Sequence, residues 1–487
     1  MKYKSNVVIK SLSYKFIEQL LTKGTSLIIG VVLARLLDVD TFGVVAILTV
    51  FTSLCSAIIE GGLSTSLIQK QDVDDTDYST VFYTSVALAV IFYGALFTAA
   101  PIIADLYEMP QLTTYLRVIG LLLFTTPFNA TQLGYVYRNM LFKKLLISTV
   151  IASVVSGTVG VVMALLGMGV WALIVQHLTN GILSVLVLFV QIPWKPKKLF
   201  SVRRLKEHFS YGWKLLVSSV TETVYVDLQA LIIGKKYTDT DLAYYNRGET
   251  YPKTIMTSLN TAVQSVMLPV MSAEQDNRDA VKAIMKKSVS LSAFLLFPVM
   301  AGFAGVAENF VTIILTDKWL LCVPYLQLAC VTYAIQPINA CNLQAIKAIG
   351  RSDIFLALTL IKKGIGIGII LLTALCFQTP MAIAIGVAAF APIELLINAI
   401  PNRKLVGYTL SEQLRDIILP MVMSLVMFIV VVLVGNITEI VWVDLAIQIL
   451  VGVILYVALA LLFKVPVLKE VLGKVKNRNR NATEKGV

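Results

Sequence analysis

The sequence predicts an all-α polytopic membrane protein with about fourteen transmembrane helices. Of 487 residues, 57% are apolar and only 14% charged, against about 25% charged in an ordinary soluble domain. The mean hydropathy is +0.80. The apolar residues come in continuous runs, such as Leu27 to Leu37 and Ala152 to Leu166, not in the alternating ten-residue segments of an outer-membrane barrel. At about 20 residues per span, roughly 278 apolar residues correspond to about fourteen spans.

Breaking the runs at charge clusters, glycines and prolines yields the spans in order. The N-terminal lysines precede no small-residue cleavage site, so the first run, 14–37, reads as an uncleaved span. Spans 42–60, 79–100, 113–134, 145–166 and 169–190 follow. The basic stretch 195–210 separates these six from a second six at 211–233, 251–271, 288–307, 321–345, 354–376 and 381–400; two more lie at 417–435 and 441–463. Polar side chains interrupt 211–233 and 251–271 most. The expected organisation is a first lobe over 1–194, a basic cytoplasmic linker at 195–210, a second lobe over 211–403, two extra helices within 404–463, and a basic cytoplasmic tail at 464–487.

An even number of spans puts both termini on one side. With the N-terminus cytoplasmic, thirty Lys and Arg residues fall in inner segments and seven in outer ones, as expected when cationic loops are retained inside. The net charge of +12 is therefore a topology signal and a contact for anionic lipid, not a nucleic-acid footprint. A faint internal repeat supports two lobes. Ala34 to Gly43 ends the first span with a basic residue, a short polar turn and a restart, and Gly234 to Tyr244 does the same at the seventh.

Several chemistries are disfavoured. Five scattered cysteines (Cys55, Cys322, Cys330, Cys341, Cys376) give no disulfide framework. The two histidines, His177 and His208, have no second His or Cys within helical reach, so no metal centre is expected. Asp72, Asp74, Asp75 and Asp77 lack the glycine and closing glutamate of a calcium loop and read as a solvated inner loop. The longest outer link, 234–250, leaves no room for the catalytic loop of a glycan polymerase or ligase, and no nucleophile–base set appears, so catalytic residues are not expected.

Certain segments carry a resemblance: Leu33-Ala34-Arg35-Leu36-Leu37 with Phe42-Gly43, Gly62 to Lys70, Tyr78 to Phe82, Ile232 to Lys235 with Ala243 to Arg247, Phe297 to Gly302, and Asp317-Lys318-Trp319. From about residue 10 to 463 the chain resembles the Wzx-type polysaccharide and oligosaccharide flippases, in their colanic-acid and teichuronic-acid exporter branch. These belong to the multidrug/oligosaccharidyl-lipid/polysaccharide (MOP) superfamily. The resemblance implies two pseudo-symmetric, MATE-like six-helix lobes in a V plus two C-terminal helices. It also implies a bacterial inner-membrane exporter that moves undecaprenyl-pyrophosphate-linked repeat units for O-antigen, capsule or exopolysaccharide by alternating access. Its partners would be that lipid-linked oligosaccharide, membrane lipids and a polysaccharide polymerase. It transfers no site residue.

Candidate sites therefore come from charge placement, because a charge at membrane depth costs several kcal/mol unless paired or hydrated. For gripping a pyrophosphate the candidates are Lys23, Lys214, Lys362 and Lys363. Lys23 leads, lying about two turns into its span. Lys362 and Lys363 point about 100° apart, so one of them at most faces a cavity. Lys214 lies near the inner surface, within snorkelling reach. For gating or ion coupling the candidates are Glu18, Glu222, Asp227 and Glu394. Glu222 and Asp227, about 140° apart on a helix, could carry a proton or, with hydroxyls nearby, sodium. Packing roles compete at each position. No cofactor is expected, and coupling to H+ or Na+ stays open. A cation-coupled multidrug exporter of the same fold is the competing reading; it would favour acidic and aromatic cavity walls, against which Lys23 speaks.

Overall fold

A computed structural model describes residues 5–70, 72–274, 277–435, 437–438 and 440–465. The expected basic tail from residue 466 onward lies outside them. The described chain is helical throughout, without strands. It divides into two compact units, Met1–Ala243 and Tyr244–Val487.

The first unit contains α1 (Ser5–Leu36), α2 (Val39–Glu60), α3 (Leu63–Gln69), α4 (Asp75–Leu106), α5 (Leu112–Ile119), a 3-10 turn (Gly120–Phe124), α6 (Thr126–Arg138), α7 (Phe142–Leu165), α8 (Val170–Gln191), α9 (Val202–Lys236) and the start of α10 (Asp239–Ala273). The second holds the rest of α10, then α11 (Arg278–Gly305), α12 (Ala307–Ile314), a 3-10 turn (Asp317–Cys322), α13 (Val323–Ala348), α14 (Ser352–Cys376), α15 (Met381–Leu405), α16 (Leu410–Leu433) and α17 (Val441–Leu462). Each of the fourteen expected spans falls on helical structure. Among the described residues, eleven helices are long and apolar enough to cross a membrane. The span expected at 113–134 is broken into α5, the 3-10 turn and α6, which restarts with Pro127 in its first turn. The polar helices α9 and α10 also fall outside the eleven.

The exposed faces are oily: Val190 and Leu375 are each 81% exposed, and Ile102 and Leu372 lie open beside them in kind. In a soluble protein such surface would drive aggregation; here it faces acyl chains. Because lipid is as apolar as leucine, close packing of small residues holds such helices together. At Gly157 on α7 a Cβ would lie 2.0 Å from Ile29 Cδ1 on α1, so glycine sets how closely these two helices approach. In the second unit Phe294, Met423, Met427, Val431 and Tyr456 form a core, tied by a 2.9 Å hydrogen bond from the Tyr456 hydroxyl to the Phe294 carbonyl.

The division after Ala243 differs from the lobe boundary expected in the basic link, because α9 packs along α2, α3 and α4. The internal repeat is visible at this contact. α1 and α2 are separated by two residues, as are α9 and α10, and Leu37 N–H and Tyr237 N–H close the two preceding helices with 2.9 Å bonds to Leu33 and Ile233 carbonyls. The echoing segments touch: a Cβ on Gly43 would sit 1.8 Å from the Asp239 carbonyl oxygen, and one on Gly234 would sit 3.1 Å from Ile47.

Candidate functional site

Within the second unit the structure brings two of the expected charges together. Lys362 on α14 is buried, with Nζ 3.6 Å from Glu394 Oε1 on α15. Gln336 on α13 lies 3.5 Å from Glu394 Oε2, at the limit for a hydrogen bond from its amide. The three residues join three apolar helices at a polar point. Pro337 follows Gln336, and Pro392 lies two residues before Glu394, both inside helices. Each proline removes a backbone hydrogen bond close to the charge pair, which permits a bend there. Lys363, next along α14, is half-buried.

In the first unit Asp227 on α9 accepts a 2.5 Å hydrogen bond from the Ser53 hydroxyl of α2, while Glu222 is exposed. On α1, Glu18 is buried and Lys23 exposed. The Lys214 side chain lies outside what the structure describes. His177 is bound within its own helix, Nδ1 lying 2.8 Å from the Leu173 carbonyl one turn earlier. Lys235 Nζ lies 3.7 Å from Glu108 Oε1.

A polar cluster that the sequence analysis did not anticipate lies at the start of α4. Asp74 caps that helix by accepting from Thr76 and Asp77 N–H groups, and Asp77 returns a bond to Asp74 N–H. Asp77, expected in a solvated loop, is fully buried. Its carboxylate receives Lys70 Nζ at 2.8 Å, His208 Nε2 at 3.0 Å and Arg204 Nη1 at 3.3 Å. Lys70 also reaches Glu207 at 3.0 Å, and His208 Nδ1 lies 2.9 Å from the Ser66 hydroxyl. The cluster fastens the start of α9 to α3 and α4. Burial pushes the His208 imidazole below its ordinary value, and the Asp77 carboxylate only partly offsets that. Hydrogen bonding to Lys70 holds the exposed Glu207 carboxyl below its usual range. For Lys70, burial lowers the ammonium, but the bonds to Asp77 and Glu207 outweigh it and the net shift is upward.

Two of the segments that carry the resemblance meet in the second unit. The Arg247 guanidinium lies 4.9 Å from the centre of the Trp319 ring, a cation–π distance, and the Tyr244 hydroxyl donates to the Lys318 carbonyl at 3.1 Å.

The profile of a family described as polysaccharide biosynthesis protein matches residues 32–324. The chain belongs to this family. Similar curated proteins include the lipopolysaccharide biosynthesis protein WzxC of Escherichia coli, 23% identical over 82% of each chain. Another is the succinoglycan biosynthesis transport protein ExoT of Rhizobium meliloti, 22% identical over 74% of this chain and 72% of that one. Among solved structures, the lipid II flippase MurJ in an inward closed conformation superposes with a TM-score of 0.76 at 16% identity, covering 94% of this chain and all of that one. An inward-facing multidrug-resistance MATE transporter of the MOP superfamily superposes at 0.57 and 16% identity, over 79% and 95%. The family member is thus a multi-pass membrane protein with the fold shared by MurJ and MATE transporters.

Proposed function

We propose that the protein is a flippase for lipid-linked oligosaccharide, carrying undecaprenyl-pyrophosphate-linked repeat units from the cytoplasmic to the periplasmic leaflet of a bacterial inner membrane. The observation that carries the reading is the membership in a polysaccharide biosynthesis family in a chain with the fold of a lipid II flippase. Both termini lie in the cytoplasm, on the strength of thirty inner against seven outer cationic residues. The substrate presents a doubly charged diphosphate on a long lipid, and the chain offers lysines at membrane depth to meet it. In this reading Lys23, exposed on α1, is a contact for the diphosphate. Lys362 is held in reserve by Glu394 and becomes available when α15 bends away from α14 at Pro392.

Deletion of the gene, followed by extraction of lipids and surface polymer, tests this. Loss of surface glycan with accumulation of undecaprenyl-linked repeat units is the expected result, and the accumulated lipid identifies the glycan. Unchanged glycan with new sensitivity to cationic dyes would replace the reading by multidrug export.

A further inference from the structure

One turn beyond the Tyr244–Lys318 contact, α10 runs against α13 more closely than any side chain would allow. A Cβ on Gly248 would lie 2.8 Å from Leu326 N and 3.0 Å from the Cys322 carbonyl oxygen. This approach brings the next residue, Glu249, to the wall of a narrow, partly open cleft with room for about one water. Tyr245, Tyr325, Leu328, Ala329, Thr332, Ala384 and Val387 form the rest of its wall. Glu249 Oε1 accepts a 3.2 Å hydrogen bond from the Tyr245 hydroxyl, whose ring packs 5.8 Å from that of Tyr325. Among the described residues Glu249 makes no ion pair. On its own helix Arg247 turns to Trp319, while Lys253, one turn on and exposed, is the cation whose charge acts on Glu249. From α13 come the phenols of Tyr325 and Tyr333 and the Thr332 hydroxyl; α15 offers only Ala384 and Val387.

We propose that Glu249 is a proton-binding site that couples export to the proton gradient. A carboxylate in a half-dry cleft, with one hydroxyl donor and no ion pair, is stabilised by taking a proton, which removes a charge from an apolar contact. The step is simple in balance: hydronium in the cleft gives its proton to the carboxylate, leaving a carboxylic acid and water. A dehydrated sodium ion needs a shell of oxygens, and four of the eight lining residues are aliphatic. The site rests on the flippase reading for its direction. Glu249 lies ten residues into α10, about 15 Å along the axis from the end assigned to the periplasm, the side from which protons flow inward. Losing the charge alters the packing of α10 on α13 where Gly248 has made it tight.

The test is infrared difference spectroscopy of the full chain in lipid, titrated with pH in potassium buffer. Wild type is expected to show a protonated-carboxyl band that Glu249→Gln lacks and Glu249→Asp retains at a changed midpoint, all three with matching thermal unfolding. In cells, Glu249→Gln is expected to lose most surface polymer. A band unchanged in Glu249→Gln, or one that is displaced by sodium at fixed pH, overturns the proposal, as does full export by Glu249→Gln in a strain that wild type complements. Should Glu249→Gln fold poorly, Glu249→Asp alone decides by whether the midpoint moves. A deletion strain with no loss of polymer would instead defeat the flippase reading while leaving the proton titration intact.

Discussion

Replacing one partner of the Lys362–Glu394 pair tests whether the charges hold the second unit together or serve transport. At 3.6 Å two unit charges attract by about 4–5 kcal/mol at an effective dielectric of about 20. Desolvation of both groups consumes much of this, so the pair as a whole contributes little net stability. Removing one member leaves a buried charge without its counterpart, which costs about 3–5 kcal/mol. Lys362→Met and Glu394→Gln are each expected to lower the unfolding temperature by on the order of 10 °C. The double variant should return close to wild type, a coupling energy of about 2–3 kcal/mol. The assay is thermal unfolding of purified protein in lipid nanodiscs, followed by tryptophan fluorescence, beside polymer export from a deletion strain. Additive single-variant effects would refute the pairing argument. Export separates the two roles. If the pair only braces α14 against α15, the double variant recovers export with stability; if Lys362 meets the diphosphate, stability returns and export does not.

Three further outcomes follow from the geometry. Gly43→Ala forces a methyl to within 1.8 Å of a backbone oxygen that no rotamer can move; overpacking of about 1–3 kcal/mol or more should cut the yield of monodisperse protein, and a yield equal to that of Gly94→Ala, which meets nothing within 4 Å, would remove the argument. Because burial depresses the His208 imidazole, the fold favours its neutral form; this stability is present above the ordinary histidine value of about 6.5 and is lost as pH falls through the lowered one. The ring is faced by Asp74, Asp77, Lys70, Arg204 and Glu207, and His208→Gln should show a smaller drop in unfolding temperature between about pH 7.5 and 5; an unchanged profile assigns the pH sensitivity elsewhere. Cys376 is exposed at the end of α14, whereas Cys322, Cys330 and Cys341 are buried, so an impermeant maleimide should label Cys376 in intact spheroplasts, and labelling only after permeabilisation would invert the proposed orientation.

What the sequence revealed and what it concealed differ in range. Continuous apolar runs are local, so the expected spans lie on helical structure, eleven of them on helices long and apolar enough to cross a membrane. The break at 120–124 is local too, but a hydropathy window averages across it, and the structure places Pro127 in the first turn of a new helix. Charge at membrane depth was legible residue by residue, yet its pairing was not. Lys362 and Glu394 are separated by a full helix-turn-helix, and their meeting depends on the register of α14 on α15, which no single segment encodes. Asp77 misled for the opposite reason: an acidic run before an apolar one looks hydrated, although the Asp74 to Asp77 spacing is that of a helix N-terminus with its capping carboxylates. That spacing explains why Asp77 points inward. Its cations lie far along the chain, on Lys70, Arg204 and His208, and the basic link read only as a topology signal supplies two of them. The same residues that report which side of the membrane the link occupies also fasten α9 to the first unit, so neutralising Arg204 would loosen that joint without altering the orientation of the chain.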